Sequence, residues 1–240
     1  MDTFTALSVI ALAALIHASF QLGVSTITLL SSHGAGKKVA AGKISRLVGS
    51  FLAGTITVTT FLVFALLYFT TTLELWQKPN SLWTAISGAL AALGIAVWIF
   101  YYRRGTGTPL WIPRAFARFL TARVRSTSLS VEAFSLGLTT VIAELPFMIT
   151  PMITATLALA FLPADLQVLG AFGYVAVASL GIIVVAVLIG GGHNISHIQR
   201  WREANKHFLQ FAAGTGLVVL AFYLYVNQVV AVAAAGAGIQ

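Results

Sequence analysis

Six long apolar stretches follow one another along this chain, and each is long enough to cross the hydrocarbon core of a lipid bilayer, which is about 30 Å thick. They run from Phe4 to Leu30, Leu47 to Phe69, Leu82 to Tyr102, Ala133 to Leu162, Leu166 to Ile189 and Phe208 to Val230. Hydrophobic residues make up 58% of the 240 residues and charged residues only 8%, against about 25% charged residues in soluble proteins. The sequence therefore predicts an all-α polytopic membrane protein, with one transmembrane domain of six helices over residues 1–240.

The second stretch is rich in Thr, which by propensity also suits a β-strand. An open strand in lipid would leave the hydrogen-bonding groups along its edges unsatisfied. A helix is therefore predicted here as well.

The basic residues predict how the spans are oriented. Thirteen of the 14 Lys and Arg residues lie in the connections after the first, third and fifth stretches, and only Lys78 lies on the other side. Because basic loops stay in the cytoplasm, both termini are predicted to lie outside. The net charge of +8 then needs no nucleic-acid partner, since basic loops face anionic lipid headgroups.

The start of the chain, Met1 to Thr5, lacks the basic residues of a signal peptide. We therefore expect the first stretch to be retained as a span. The expected location is the cell (inner) membrane of a bacterium or archaeon.

Residues 103–130 are predicted to form a basic cytoplasmic loop that holds an interfacial helix. In the segment from Pro113 to Arg125, Arg114 and Arg118 share a polar face with the terminal Arg. Arg123 falls in the middle of the opposite, apolar face. Two explanations stay open, because this side chain either snorkels to the headgroups or meets an anionic substrate.

The two halves of the chain resemble each other weakly. A shift of 127 residues places His17 on Glu144, which are the two ionisable residues deep within the apolar stretches. A shift of 126 places Ile86-Ser87-Gly88 on Ala212-Ala213-Gly214. Residues 1–102 and 131–240 are thus predicted to be two three-helix repeats, and the odd number of helices gives them opposite orientations. Inverted repeats are common in secondary transporters, whose sites lie near the membrane midplane.

In architecture the chain resembles the lysine-exporter (LysE) superfamily, with unusual residues on the first and fourth helices, a basic third connection and an ending from Arg200-Trp201-Arg202 through Phe211-Ala212-Ala213-Gly214. That group comprises exporters of small molecules, amino acids and metal ions, together with the DsbD/CcdA thiol-electron carriers. The carriers use Cys on the first and fourth helices, and the absence of Cys here argues against that branch. The Asn-Pro and Glu-Gly-Asp signatures of several other branches are missing, so the resemblance implies export but no site residues.

Glu144 is the strongest candidate for a functional residue. A carboxylate near the middle of a span costs about 2.5–3.5 kcal/mol to insert unless it faces a cavity, finds a partner or is protonated. Pro146 and Pro151 follow it and are expected to break the fourth helix, and Thr140 shares its face. The alternative is a structural, neutral glutamic acid bonded to a freed backbone carbonyl.

His17 is the second candidate, and Gln21 and Thr28 extend it into a polar stripe along the first helix. Such a stripe faces other helices or water rather than lipid. It either serves the solute pathway or joins helices by hydrogen bonds. If His17 approaches Glu144, the pair could carry a proton.

No cofactor and no metal site are predicted. His193 and His197 share a helical face, but no Cys or carboxylate nearby completes a ligand set. The expected partners are the lipid bilayer and a small molecule or ion as substrate, with a homodimer as an assembly that the sequence leaves open.

The leading hypothesis is a secondary transporter or exporter of a small solute, with a midplane site near Glu144 and His17 and proton coupling as one option. The alternative is a non-transporting membrane subunit or scaffold of a larger complex. An intramembrane enzyme fits worst, because the sequence offers one deep acid and one deep His without a paired acid or metal set.

Orientation can be tested with accessibility tags. Tags at Asn80 and at either terminus should be reached from outside, and tags at Gly36, Gly107 and Asn205 only from inside, because of the bias in basic residues. A membrane-impermeant reagent applied to intact cells measures this. Labelling of a tag at Gly107 from outside would overturn the orientation.

Overall fold

The computed structural model of the chain describes residues 1–20, 22–36, 41–75, 80–101, 114–191, 197, 200–201 and 204–236. The regular elements in these residues are all helices. They are α1 (Thr3–Ser19), α2 (Leu22–Gly36), α3 (Ala41–Thr72), α4 (Asn80–Ala96), α5 (Arg114–Ser126), α6 (Ser130–Leu159), α7 (Ala164–Ala178), α8 (Leu180–Gly190), α9 (Lys206–Leu224) and α10 (Ala231–Gly236). Two π-helical segments, Val97–Tyr101 and Tyr225–Val230, continue α4 and α9.

Four helical stretches are long and apolar enough to cross a membrane by themselves. They are Gly42–Thr72, Ser81–Phe100, Ser130–Leu159 and His207–Val230. Two bent pairs, α1 with α2 and α7 with α8, meet the same criteria as pairs, which gives up to six spans. These helices lie where the apolar stretches were predicted, and the Thr-rich second stretch is the helix α3. The described chain is thus all-helical and has the spans of an integral membrane protein.

Each of the two bent helix pairs changes direction where its two helices meet. The axes of α1 and α2 differ by 40°, and those of α7 and α8 by 55°. Phe20 ends α1 in an extended conformation, and its N–H donates to the carbonyl of His17 at 3.1 Å. Ser179 separates α7 from α8.

The prediction that Pro146 and Pro151 break the fourth helix is wrong. Helix α6 is continuous from Ser130 to Leu159, with Pro146 and Pro151 inside it. A proline removes one N–H from the helix, but in a membrane span the neighbouring helices hold the segment in place. Here α6 packs along α3 and α1, so tertiary packing overrides the local preference of proline.

Helices α3 and α6 form the most extensive contact of the described chain, and glycines let their backbones approach. A Cβ atom on Gly54 would run into the carbonyl of Phe134, and one on Gly137 would run into the carbonyl of Phe51. Helices α4 and α9 make a second close pair, in which Gly94 lies against Gly214. Such contacts between small residues are typical of helices packed in membranes.

The predicted interfacial segment forms α5, and this helix docks on the bundle. Leu120 and Val124 are buried against α2 and α6. Arg123 is exposed, with its guanidinium carbon 5.9 Å from the centre of the Phe119 ring. The side chain therefore reaches the surface beside Phe119, which is compatible with the snorkelling alternative. Pro113 lies outside the described residues.

Two acidic side chains cap helices at the ends of spans. The carboxylate of Asp2 accepts the N–H of Thr5 at 2.9 Å and its hydroxyl at 2.7 Å, and these bonds hold the pKa of Asp2 below its usual value. Glu132 accepts the N–H groups of Ser128 and Leu129 at the start of α6. Amides at a helix start have no partner within the helix, so these acids fix where α1 and α6 begin.

Replacement of Gly54 by Ala should destabilise the protein. The new Cβ meets the Phe134 carbonyl, which is backbone and cannot rotate away, so α3 and α6 must separate at a cost of about 1–3 kcal/mol. Thermal unfolding of the purified protein in detergent measures the effect. Gly88→Ala is the control, because nothing lies within 4 Å of a Cβ at Gly88. Equal unfolding temperatures for the two variants would contradict the described α3–α6 contact.

Candidate functional site

A small cavity lies where the two bent helix pairs, α1 with α2 and α7 with α8, meet α3 and α6. Its volume is about 20 Å³, enough for about one water molecule. The polar residues that line it are His17, Thr55, Thr59, Glu144 and Ser179. Each comes from the middle part of its span, so the cavity gathers polar groups at one level of the bundle.

Helix α6 carries Glu144 into this cavity, and the residue is 6% exposed. Its Oε1 accepts the N–H of Gly23 at 3.1 Å, and the N–H of Leu22 lies beside the same carboxyl group. Both amides belong to the first turn of α2, where backbone N–H groups have no partner within the helix. The Glu144 side chain on α6 thus accepts a hydrogen bond from an amide that has no partner within α2 because of the break between α1 and α2.

This bond bears on the two interpretations of Glu144. The hydrogen-bond partner of Glu144 is a backbone amide without a helical partner. The interpretation of Glu144 as a purely structural residue had predicted a backbone carbonyl as its partner. An amide can donate to a carboxylate or to the carbonyl oxygen of a neutral carboxylic acid. Glu144 can therefore support the fold and still exchange a proton or bind a cation.

His17 lies near the end of α1 and is 5% exposed. Its Nδ1 is 2.9 Å from the hydroxyl of Tyr174 on α7, with the ring centres 5.7 Å apart. Which of the two atoms donates depends on the tautomer of the imidazole. This bond ties the first span to the fifth just before each of them bends.

The structure places His17 and Glu144 in the lining of one cavity. Each has its own partner, Tyr174 and Gly23 respectively. No hydrogen bond joins the two among the described residues. A proton passing between them would therefore need a water molecule or a movement of the side chains.

Sequence reasoning missed four residues of the site. Tyr174, Thr55, Thr59 and Ser179 all lie in apolar stretches, where an aromatic or hydroxyl side chain usually means packing. A weak signal did exist, since Thr55 and Thr59 are one helical turn apart and both fall on the buried face of α3. The link from Tyr174 to His17 crosses 157 residues of sequence, and no local pattern reveals it.

Four other predicted site residues lie away from this cavity. Thr140 and Thr28 are buried, and each hydroxyl donates to a backbone carbonyl one turn earlier in its own helix. Pro151 is buried on α6, and Pro146 is exposed. None of these four lines the described cavity. Gln21 lies outside the described residues, as does His193 of the histidine pair.

The lining offers mainly hydrogen-bond acceptors and no permanent positive charge. No Lys or Arg is present among the described lining residues, and Glu144 is the acid. Elsewhere in the described chain, no group of three or more His, Cys, Asp or Glu is placed to hold a metal ion. The arrangement can hold a proton, a small cation or a donor group of a solute.

Comparisons of the chain with protein-family models, with curated proteins and with solved structures found no match.

Tyr174→Phe should lower the stability of the protein and leave its fold intact. The change removes the hydroxyl bonded to His17 and leaves a buried polar ring without that partner, at a cost of about 0.5–1.5 kcal/mol. Thermal unfolding in detergent should show a decrease of a few degrees. Tyr68→Phe, at an exposed ring on α3, is the matched control. An unchanged unfolding temperature for Tyr174→Phe would contradict the His17–Tyr174 bond.

Proposed function

We propose that this protein is a secondary transporter that moves a small solute across the cell (inner) membrane of a bacterium or archaeon. Its six spans form two inverted repeats with both termini outside, and its binding site is the cavity between His17 and Glu144. The observation that carries the proposal is the meeting of two bent spans and two buried ionisable side chains at one cavity.

Broken spans are costly in lipid, which supports a functional reason for them. The break after α1 frees amides at the start of α2 that need partners inside the protein. Ionisable side chains in the middle of spans carry a further cost and usually mark ion or substrate pathways. Discontinuous helices beside such residues are typical of secondary transporters, in which freed helix ends bind substrates and ions. A scaffold would need neither feature.

The packing of the helices supports the inverted repeat. An exchange of the halves pairs the first span with α6, α3 with the α7–α8 span, and α4 with α9. Under this exchange the α3–α6 contact corresponds to the contact between α7 and α1, and both are present. The α1–α9 contact corresponds to the α4–α6 contact, and both are again present. The third helix of each half also ends in a π-helical segment.

Individual residues at the cavity agree with that exchange. The shift of 127 that pairs His17 with Glu144 also pairs Phe20 with Phe147. The rings of Phe20 and Phe147 stack with their centres 6.0 Å apart. Equivalent residues touch each other where a two-fold axis passes between them, so the proposed axis runs beside the cavity. Sites of inverted-repeat transporters lie at such an interface.

The resemblance to the lysine-exporter superfamily belongs to the same proposal and rests on architecture. The four long helices and two bent pairs are compatible with its six-helix arrangement. The proposed cargo is accordingly a small molecule, an amino acid or a metal ion. With a volume of about 20 Å³, the cavity is too small for most such cargo, so transport requires the helices around it to move apart.

Reconstitution into proteoliposomes tests the proposal. Vesicles with and without an imposed proton gradient are offered labelled amino acids and divalent metal ions, and accumulation is compared with that in protein-free vesicles. We expect at least one compound to accumulate through the protein. If the inserted, folded protein moves no member of the panel, the transporter proposal is contradicted and the scaffold alternative is favoured.

Glu144→Gln should abolish proton-driven accumulation while the protein still inserts and folds. Gln keeps the volume of the side chain and an oxygen that accepts the Gly23 N–H, but it cannot bind and release a proton. His17→Gln should behave in the same way if the two residues act as one unit, and the double variant should then be no worse than either single one. Flux measured across a pH range gives the result.

Glu132→Gln is the matched control, since Glu132 is an exposed acid on the same helix. This control should keep wild-type flux. Wild-type flux and pH dependence in Glu144→Gln would exclude the proposed role of Glu144, although another coupling mechanism would remain compatible with transport.

A further inference from the structure

We propose that the cavity binds one dehydrated monovalent cation of the size of Na⁺, with Glu144 as its counter-charge and Thr55, Thr59 and Ser179 as neutral oxygen ligands. The binding stands on the cavity alone, whereas the role of the ion in driving transport rests on the function proposed above.

The charge of the lining residues favours a ligand with a single positive charge. Glu144 is the acid among the described lining residues, and no Lys or Arg competes with a bound cation. Its carboxylate has about four lone-pair sites, and the Gly23 N–H uses one of them. Ca²⁺ sites usually supply several carboxylates. One buried carboxylate therefore balances a monovalent ion.

The two threonines can act toward a ligand only as acceptors. The hydroxyl of Thr55 donates to the carbonyl of Phe51 at 3.1 Å, and that of Thr59 donates to the carbonyl of Thr55 at 2.9 Å. Each hydroxyl has a single hydrogen, which these bonds occupy. What remains is oxygen lone pairs, which are the ligands of hard cations.

Ser179 supplies a further oxygen atom at the cavity. The residue is 3% exposed and lines the cavity at the bend between α7 and α8. Its hydroxyl oxygen is a hard, neutral ligand of the kind that hard cations accept.

The size of the cavity separates the ion from the cargo. About 20 Å³ holds one water molecule or one bare ion of similar size, and no amino acid. In this conformation the cavity is therefore an ion site, and a larger solute needs a separate or enlarged space.

Equilibrium binding of radioactive Na⁺ to the purified protein in detergent tests the inference at fixed pH, with choline replacing other cations. We expect saturable binding of about one ion per chain, displaced by unlabelled Na⁺ and not by choline. Absence of saturable binding to the folded wild-type protein overturns the inference.

Variants then locate the site. Thr55→Val and Thr59→Val keep the shape of the side chain and remove the oxygen, and each should weaken Na⁺ binding by about tenfold or more. Thr57→Val is the matched control, because Thr57 makes the same type of backbone bond on the exposed face of α3. Binding that is equal in all three variants, with unfolding temperatures like that of the wild type, overturns the assignment to this cavity.

Accumulation in proteoliposomes under an inward Na⁺ gradient distinguishes this inference from the proposed function. Solute flux without saturable Na⁺ binding removes the ion site and leaves the transporter standing. Saturable Na⁺ binding that Thr55→Val weakens, without flux of any solute, supports the ion site and contradicts the transporter.

Discussion

Backbone groups that leave a helix inside a membrane need partners within the protein, and this need shapes the centre of the molecule. The first span breaks after α1, which frees the amides of the first turn of α2. Glu144 reaches them from α6, 121 residues away in sequence. For the carboxyl group to lie there, the part of α6 before Glu144 must pack tightly along α3. The glycine contacts between α3 and α6 provide that packing.

The same requirement gathers the chemistry of the protein at one place. A side chain that can accept hydrogen bonds in hydrocarbon must be polar, and a polar side chain there must be enclosed by other helices. His17, Glu144, the α3 threonines and Ser179 therefore lie around one small cavity and not along separate faces. A structural role of Glu144 is compatible with the proposed functional one, because a carboxyl group can accept the Gly23 N–H with or without a proton. The residue can hold the break in place and change its charge.

Hydropathy was enough to predict the helices, since a span in lipid must be a long apolar helix and the loops between spans are short. It was also enough to single out His17 and Glu144, the two ionisable residues inside those stretches. The positions of the breaks could not be predicted in this way. Pro146 and Pro151 are the strongest local helix breakers, yet α6 passes through both, whereas the bend at Ser179 has only the weaker signal of Ser179 with Gly181 beside it. The positions of the bends depend on contacts with other helices. The roles of Tyr174, Thr55 and Thr59 also depend on such contacts, so the sequence did not predict them.

Whether the first span or α6 is broken depends on which residue faces the freed amides from the other helix. Under the proposed repeat, Glu144 and His17 occupy equivalent positions in the two halves. A broken first span presents freed amides to α6, where a carboxyl group offers two acceptor oxygens. A broken α6 would present its freed amides to the first span, where a neutral imidazole offers one acceptor nitrogen at most. His17 already uses one ring nitrogen toward Tyr174. Glu144 in the second half can therefore accept hydrogen bonds from the amides that a break in the first span frees. His17 in the first half cannot do the same for amides freed by a break in α6. This difference explains why the first span is bent and α6 is continuous despite its prolines.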